Sequence, residues 1–322
     1  MSTLPLVLEG VGRAPPPCRE IESTMTARIL KGSALAAQMR RKIEEWRIDL
    51  HARGARPLVL ATVLVGNDGS SEAYRLSITR TFARVGIDHR AVDLPSGIDP
   101  SSFVECITDL NANPEITGVM VLMPLPEPLT ADLVLEHLSP LKDVDGITPT
   151  NAGRLHMGLP SLRPSTPQGG IELLDHYGIE LAGARAVVIG RSNVVGRPLA
   201  TLLSQRHATV TVCHRQTIDL SGICLEADLI AVAAGHPGLV TANMVRPSAT
   251  VIDFGVNVVG DGIVGDADFQ ALVDIAGAIT PVPGGTGPVT ALVLARNTVA
   301  AAYAALEGTL DQVMLVQPLP PG

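Results

Sequence analysis

The chain has few charged and few aromatic residues. Of its 322 residues, 17% are charged and 2% are aromatic, while 46% are hydrophobic, and the formal net charge is −8. Disordered chains show the opposite balance, with high charge and too little apolar surface to bury. No basic block interleaved with aromatic residues is present, so a nucleic-acid partner is not expected. The composition predicts a globular protein, and the length predicts two domains.

Cysteines and long apolar runs are also scarce. Cys18, Cys106, Cys213 and Cys224 show no short paired spacing, so we expect neither a metal site nor a disulfide framework, but reduced and mostly buried thiols. The most apolar runs, at 58–65 and 186–189, are the length of strands and well below the roughly 20 residues of a membrane helix. Residues 1–26 lack the features of a signal peptide and are expected to be a flexible extension. These absences predict a cytoplasmic protein without a membrane span.

What the sequence does contain is an alternation of strand and helix patterns, which predicts parallel sheets covered by helices. Ser33 is the expected N-cap of the first helix, and a loop at about 139–167 is the expected hinge between two domains. The predicted helices are 33–49, 70–85, 101–111, 130–137, 167–177, 196–205 and 289–306. The predicted strands are 58–65, 88–94, 118–123, 186–190, 209–213, 229–233 and 250–254.

A strand, a glycine turn and a helix start follow one another from Ala186 to Pro198. Backbone amides at the start of a helix attract phosphate, so the turn around Gly190, Arg191, Ser192 and Gly196 is a candidate dinucleotide site. It varies from the G-x-G-x-x-G pattern, because Ser192 stands where the second glycine would be. A tight turn without a ligand is the alternative interpretation.

The next strand ends in Cys213-His214-Arg215 and therefore lacks the acidic residue that binds the ribose hydroxyls of NAD. Arg215, together with Arg191, would suit the additional phosphate of NADP, because guanidinium groups bind phosphate through paired, charge-assisted hydrogen bonds. A solvated arginine is the alternative, and the sequence favours NADP.

Several segments, in this order and spacing, resemble the methylenetetrahydrofolate dehydrogenase/cyclohydrolase family between about Ala27 and Ala302. The resemblance implies two α/β domains flanking a cleft, the C-terminal one a Rossmann-type dinucleotide-binding domain, and a C-terminal helix that returns to the first domain. The matching segments are Val65-Gly66 with Ser71-x-x-Tyr74, Pro124-Leu125-Pro126, Lys142-Asp143-Val144-Asp145-Gly146, Pro164-x-Thr166-Pro167-x-Gly169, Gly190 to Pro198, Asp253-x-Gly255-x-Asn257 and Pro281-Val282-Pro283-Gly284-Gly285-x-Gly287-Pro288-x-Thr290.

The resemblance also implies the domain limits and the roles of particular residues. Residues 27–150 with 289–310 would form the folate-binding catalytic domain, 151–288 the NADP-binding domain, and 311–322 a flexible tail. Tyr74 would stack near the reacting ring of a tetrahydrofolate substrate, and Asp145 would hydrogen-bond the pterin. Pro283, Gly284 and Gly285 would approach the substrate, while Gly190, Arg191, Ser192, Gly196, His214, Arg215 and Thr290 would contact NADP. A homodimer is expected, since the family commonly forms one.

Two positions depart from the family pattern. Ile78 stands four residues after Tyr74, where most members have a lysine, and Leu122 stands where they have a glutamine. The chain has three lysines and 21 arginines, so compositional drift would have replaced lysine with arginine. Ile78 cannot carry a proton. We therefore expect oxidation of methylene-tetrahydrofolate with NADP, with the cyclohydrolase step weak or lost.

Two other interpretations stay open. The less polar pocket would also accommodate a modified one-carbon carrier used in a specialised pathway. Alternatively, the chain is a folate- or nucleotide-binding protein without catalysis, and ligand binding without turnover would distinguish this case from the first two.

Overall fold

A computed structural model describes residues 26–260 and 262–316, in which strands and helices alternate along the chain. The strands are β1 (Arg28–Ile29), β2 (Val59–Val65), β3 (Asp88–Leu94), β4 (Gly118–Val121), β5 (Arg185–Ile189), β6 (Thr209–Cys213), β7 (Leu229–Val232), β8 (Thr250–Asp253), β9 (Asn257–Val259), β10 (Gly262–Val264) and β11 (Ala278–Ile279). The helices are α1 (Ser33–Ala52), α2 (Gly69–Arg84), α3 (Pro100–Ala112), α4 (Ala131–His137), α5 (Pro149–His156), α6 (Ser165–His176), α7 (Gly196–Gln205), α8 (Leu220–Leu225), α9 (Phe269–Leu272) and α10 (Gly287–Glu307), with 3-10 turns at Ala242–Met244 and Leu310–Leu315.

The first sheet has three parallel strands in the order β3-β2-β4. The central strand β2 reads VLATVLV and is buried over nearly its whole length, as expected for a parallel strand covered by helices on both faces. Helix α2 begins at the Asp68 side chain, which accepts a hydrogen bond from the Ser71 amide, and α3 begins at Asp99 in the same way. Both caps satisfy amides that a helix start leaves unpaired.

The second sheet has six strands in the order β1-β11-β8-β7-β5-β6, and every pair is parallel. A separate antiparallel hairpin joins β9 to β10. Two α/β units with parallel sheets confirm the predicted fold class.

Helix α10 belongs to the core of the first unit, although it lies near the C-terminal end of the described residues. Its residues lie in one apolar cluster with residues of α1, β2 and α2. By length and composition α10 could cross a membrane, but 89% of its most apolar 18-residue window is buried inside the protein. Its apolar character is therefore explained by its place in the core.

The predicted elements agree with the structure to within three residues at each end, but four details were wrong. Gly32, and not Ser33, is the N-cap of α1. The expected hinge loop at 139–167 contains α5, whose run Pro149–His156 lacks an apolar stripe long enough to be recognised. The first residues of the expected tail are ordered, because Val313 and Val316 are buried in the core. β1 pairs with β11 in the second sheet, although the sequence had placed it in the first domain.

The short elements β1, β9, β10, β11, α8 and α9 were not predicted, because elements of two to six residues carry too little periodicity. Cys213 and Cys224 are buried thiols and Cys106 is half-buried. Cys18 and nearly all of the expected N-terminal extension, 1–25, lie outside the described residues.

Candidate active site

The carboxyl edge of the first sheet carries the first group of predicted residues. The chain passes from β2 to β3 on one side and then to β4 on the other, so the strand order reverses between β2 and β4. Ligands of open α/β sheets bind outside the carboxyl ends of strands at such a reversal. The Ser71 hydroxyl donates to the Met123 carbonyl at 3.0 Å. This bond ties the first turn of α2 to the segment after β4 and brings Tyr74 to the edge.

Tyr74, Ser165 and Asp145 form a connected polar group at this edge. The Ser165 hydroxyl donates to Oδ1 of Asp145 at 3.3 Å and also hydrogen-bonds the Tyr74 hydroxyl. Burial raises the pKa of Asp145 to about 7, the nearby Asp143 charge raises it as well, and the Ser165 hydrogen bond lowers it. Burial and the Asp145 charge raise the pKa of Tyr74, so Tyr74 stays a neutral hydroxyl near pH 7.

The loop that carries Asp145 is built around the buried carboxylate of Asp143. That carboxylate accepts hydrogen bonds from the Ile147 amide at 3.1 Å, from the Thr148 amide and hydroxyl at 2.8 and 2.7 Å, and from the Asn151 side chain at 2.9 Å. Burial raises the pKa of Asp143, and the donors lower it. The Asn151 side chain also accepts from the Leu162 amide at 3.1 Å. The loop is therefore fixed both internally and to the segment before α6.

Ile78 and Leu122, the two departures from the family pattern, lie in a single apolar cluster. Ile78 is 0% exposed and Leu122 is 2% exposed, and the Tyr74 ring packs against the same cluster. Ile78 lies one helical turn after Tyr74 on α2, and the Ser71–Met123 hydrogen bond holds the residue after Leu122 against the same helix. Neither replacement supplies a group that can donate, accept or carry a proton.

The segment Pro283–Gly285 lies between β11 and the start of α10. The Gly284 carbonyl accepts from the Gly32 amide at 2.9 Å, and the Gly285 amide donates to the Pro281 carbonyl at 2.8 Å. Gly284 has φ +106°, a conformation that a side chain disfavours. A Cβ at Gly32 would overlap the Gly285 carbonyl oxygen. The segment is therefore anchored at the start of α1, with Pro283 and Gly284 themselves exposed.

The second sheet reverses its strand order at β5, since β6 lies on one side of it and β7 on the other. The glycine turn lies at the carboxyl end of β5. Gly190 has φ +123°, and a Cβ there would overlap the Ala233 carbonyl oxygen after β7. A Cβ at Gly196 would overlap the Gly190 carbonyl oxygen. Both glycines are therefore required by close backbone packing. We call this turn, together with the amides at the start of α7, the glycine cradle; turns of this kind bind phosphate in dinucleotide-binding domains.

Ser192 closes this turn in a way that a glycine could not. Its hydroxyl oxygen accepts from the Val195 amide at 3.1 Å and from the Gly196 amide at 3.4 Å. Two of the amides at the start of α7 are thus partly satisfied by the turn itself. This explains why a serine is compatible with the second glycine position.

Arg191, His214 and Arg215 lie at the same edge, because β5 and β6 are neighbours in register, with Ile189 opposite Cys213. Each arginine follows its strand by two residues, and both are exposed. Neither takes part in an ion pair among residues 26–260 and 262–316. The His214 ring is half-buried and its Nδ1 accepts from the Gln216 amide at 3.2 Å. Two unpaired guanidinium groups beside a glycine cradle fit a ligand with several phosphates.

Comparison with known proteins covers both halves of the chain. The catalytic-domain model of the tetrahydrofolate dehydrogenase/cyclohydrolase family matches residues 30–145, and the family's NAD(P)-binding domain matches residues 164–306. The bifunctional protein FolD of Chloroflexus aurantiacus is 50% identical over 278 residues, which cover 86% of this chain and 98% of that protein. The chain belongs to the tetrahydrofolate dehydrogenase/cyclohydrolase family.

Solved structures agree with this assignment. The bifunctional methylenetetrahydrofolate dehydrogenase/cyclohydrolase FolD of Campylobacter jejuni is 40% identical with a TM-score of 0.83, covering 86% of this chain and 98% of that one. The Trypanosoma brucei enzyme, determined with NADP and an inhibitor, is 32% identical with a TM-score of 0.83, covering 88% and 99%. Relatives of this family thus share both α/β units, and residues 164–306 of this chain form its NAD(P)-binding domain.

Within this tetrahydrofolate dehydrogenase/cyclohydrolase chain, the predicted residues fall into two groups. Tyr74, Ile78, Leu122 and Asp145 meet at the first sheet, whereas Gly190, Arg191, Ser192, Gly196, His214 and Arg215 meet at the second. Thr290 lies in the first turn of α10 and is nearly buried, and its hydroxyl donates to the Thr286 carbonyl. α10 begins directly after Pro283–Gly285, so that segment joins the two groups.

Two residues of the site were missed by sequence reasoning. Ser165 lies in the quoted Pro164-x-Thr166-Pro167 segment, but a serine has no pattern that would reveal contacts with both Tyr74 and Asp145. Asp266 accepts from three consecutive amides, those of Ala234, Gly235 and His236, at 2.6, 2.8 and 2.9 Å. It thereby fixes the loop after β7 that faces Gly190. Its only sequence signal is one of three aspartates in a Gly-rich stretch, which is typical of an ordinary turn.

Proposed function

We propose that this protein oxidises methylene-tetrahydrofolate to methenyl-tetrahydrofolate with NADP. The observation that carries the proposal is the presence of both halves of the required site in one family member: the Tyr74–Ser165–Asp145 group at one sheet and the glycine cradle with free arginines at the other. The domain limits that we propose follow this division, with 27–150 and 289–310 binding folate and 151–288 binding NADP, apart from β1.

Hydride transfer requires little chemistry from protein side chains. A hydride leaves the one-carbon bridge of the folate, whose carbon becomes a cationic methenyl group, and bound NADP supplies the acceptor. No protein group has to gain or lose a proton in this step. The protein's contribution is to hold two carbons face to face at about 3–3.5 Å. We assign Tyr74 to the face of the folate, Asp145 to the pterin donors and Pro283–Gly285 to the gap between the two ligands.

The positive charge at the second site favours NADP over NAD. A carboxylate that would bind the 2′-hydroxyl is missing after β6, and Arg191 and Arg215 occupy the edge in its place. A 2′-phosphate gives both guanidinium groups a counter-charge that NAD lacks. The NADP-bound Trypanosoma brucei relative is consistent with this assignment.

The hydrolytic step that the bifunctional relatives' names imply should be weak or lost here. Hydrolysis of the methenyl group needs a proton carrier, and loss of general acid–base help typically costs about 10²- to 10⁴-fold. The apolar Ile78 and Leu122 side chains support this expectation, because they fill positions beside Tyr74 with groups that have no proton to exchange.

A spectrophotometric assay with methylene-tetrahydrofolate and NADP tests both parts. One sample quenched in acid counts total methenyl product, and a second at neutral pH follows its decay against a blank without protein. NADPH formation with methenyl decaying at the blank rate is the expected result. Decay faster than the blank would refute the loss of hydrolysis, and no NADPH formation would refute the dehydrogenase.

The double variant Ile78→Lys/Leu122→Gln then asks whether the missing pair is the defect. We expect it to accelerate methenyl decay over the wild type while NADP binding is unchanged. Both positions are buried, so the variant should also lose stability, and its folding is checked first by circular dichroism. Decay at the blank rate in a folded variant would show that another feature limits hydrolysis.

We also propose that the protein is a cytoplasmic homodimer. The hairpin β9–β10 and the residue before it expose five aliphatic side chains, those of Val256, Val258, Val259, Ile263 and Val264. Exposed apolar patches of this kind mark association surfaces, and closed twofold pairs are the commonest assemblies. Sedimentation equilibrium at micromolar concentration should give twice the chain mass, and a monomer there would refute the dimer.

A further inference from the structure

Helix α10 reaches into the folate half through one buried side chain. Asn297 is 0% exposed, and its side-chain nitrogen donates to two carbonyl oxygens, those of Val144 and Arg163, each at 2.8 Å. An amide NH₂ has two protons, and these two bonds use both. Val144 directly precedes Asp145, and Arg163 lies two residues before Ser165.

We infer that Asn297 is a positioning residue for the folate site, holding Asp145 and Ser165 in register with each other. The inference rests on the proposed dehydrogenase activity, which it deepens. Without a cross-link, the loop of Asp145 and the segment before α6 are separate stretches of backbone. Asn297 joins them within two residues of the Ser165–Asp145 hydrogen bond. That bond is already long, at 3.3 Å.

The two segments that this cross-link joins pack against each other closely. Gly146 has φ +64°, and a Cβ there would overlap the Leu162 carbonyl oxygen and crowd the Arg163 carbonyl carbon. The two segments therefore touch through bare backbone, with no side chains between them to fix their spacing. Asn151 links the same segments further from the site, through the Leu162 amide. Asn297 is the link nearest to Asp145 and Ser165.

The same helix face also approaches the cofactor half. Thr290 precedes Asn297 by seven residues, which is two turns of α10 and nearly the same face of the helix. One rigid helix thus carries a residue assigned to the cofactor and the residue that sets the folate loop. Hydride transfer depends on sub-ångström placement, and a misplacement of 1 Å can cost about 100-fold. Asn297 therefore acts on the rate through Asp145 and Ser165 without touching either ligand.

The test compares Asn297→Leu with a matched control, Thr298→Val. Leucine has the branched shape and the same number of side-chain heavy atoms as asparagine, and it removes both donors. Thr298 is also 0% exposed, and its hydroxyl donates only to Leu294 within the helix, so its replacement removes a buried hydrogen bond without touching either loop. Steady-state rates are measured across pH 5 to 9, together with the Kd of NADPH by its fluorescence.

For Asn297→Leu we expect kcat/KM for methylene-tetrahydrofolate to fall about 10- to 100-fold, with the Kd of NADPH within about twofold. The midpoint of the pH profile of kcat/KM should move to higher pH in Asn297→Leu, because the Ser165 hydrogen bond that lowers the pKa of Asp145 is loosened. Thr298→Val should keep the wild-type profile. A profile and KM for Asn297→Leu that match those of Thr298→Val would overturn the inference.

Two further arms keep the result decisive. If Asn297→Leu does not fold, Asn297→Ser retains one donor and should show a smaller shift in the same direction, whereas an unshifted profile would overturn the inference. If the wild type forms no NADPH, the proposed function fails, and the inference is then judged by calorimetric binding of tetrahydrofolate. Weaker binding by the Asn297 variant than by Thr298→Val supports it, and equal binding refutes it.

Discussion

At the scale of single residues, Asp145 has the largest expected effect on how substrate affinity and stability depend on pH. Asp145 lies two residues after Asp143 in the loop built on that carboxylate, so burial and the nearby Asp143 charge both raise its pKa. The result is a carboxyl group with a pKa of about 7, against an ordinary value near 4. Its protonation therefore changes within the physiological pH range, which an isolated aspartate on the surface would not show.

We predict that the KM for methylene-tetrahydrofolate falls as pH rises through about 7, because the ionised Asp145 carboxylate accepts hydrogen bonds from the pterin and the protonated form accepts them less well. The KM is measured at fixed saturating NADP from pH 5.5 to 8.5. Ser165→Ala removes a bond that lowers the pKa of Asp145, so its midpoint should lie higher. A KM independent of pH would contradict the assignment of Asp145.

The raised pKa of Asp145 also affects stability, which should fall with rising pH while the affinity for folate rises. Since the pKa of Asp145 is raised on folding, its contribution to the free energy of unfolding is complete below about pH 4 and is lost as pH rises through about 7. Asp145→Asn should flatten the pH dependence of the urea midpoint over that window. Folate affinity and stability therefore change in opposite directions across the same pH range.

At the scale of elements, the turn between β5 and α7 shows how far sequence reasoning reaches. Strand, glycine and helix start were all predictable, because the apolar run, the turn glycine and the Pro198 near the helix start each have a local signature. The contact that makes Gly190 indispensable was not predictable, because its neighbour Ala233 follows a strand more than 40 positions later. Helices and strands can be predicted from local sequence patterns, whereas the site depends on contacts between residues far apart in the chain.

The same distinction explains the other successes and failures. Tyr74 and Asp145 could be named because they stand in motifs whose order is specific to the family. Ser165, Asp266 and Asn297 could not be named, since each acts on residues far along the chain and stands in no pattern of its own. α5 was taken for a loop because it has eight residues and only two buried positions, Asn151 and Leu155.

We predict that Gly190→Ala abolishes NADP binding and destabilises the fold, because its φ of +123° is strained for a side chain and the new Cβ would overlap the Ala233 carbonyl oxygen. Gly235→Ala is the matched control. Gly235 also has positive φ, +65°, but a Cβ there meets nothing within 4 Å, so the variant should lose only about 1–2 kcal/mol. Fluorescence titration with NADPH measures binding. NADPH affinity of Gly190→Ala within threefold of the control would contradict the cradle.

At the scale of the whole molecule, the two units are joined by a buried charged cluster between α6 and α10. Arg296 on α10 donates to both carboxylate oxygens of Glu172 on α6, at 2.9 and 2.5 Å. Gln168 donates to the same carboxylate at 2.7 Å, and its carbonyl oxygen accepts from Arg163 at 3.4 Å. Burial and the neighbouring Arg296 lower the pKa of Arg163 to about 10. One carboxylate thus serves two buried guanidinium groups.

We predict that Glu172→Gln lowers the free energy of unfolding by about 3–5 kcal/mol, because it leaves buried cations without a counter-charge. Glu45→Gln, in the exposed pair with Lys42, which is 61% exposed, should cost less than about 1 kcal/mol. Urea unfolding followed by circular dichroism measures both. Equal losses in the two variants would show that the buried cluster does not secure the interface.

The path of the chain through the two units also sets the order in which they can be completed on the ribosome. β1, among the first described residues, forms an edge of the second sheet, whereas α10, the last long helix of the described residues, fills the core of the first unit. The first unit is therefore synthesised without its central helix and stays open until the C-terminus emerges. Neither unit corresponds to a continuous piece of the chain, so a chain truncated before α10 should be held by chaperones or degraded rather than released as a half-enzyme.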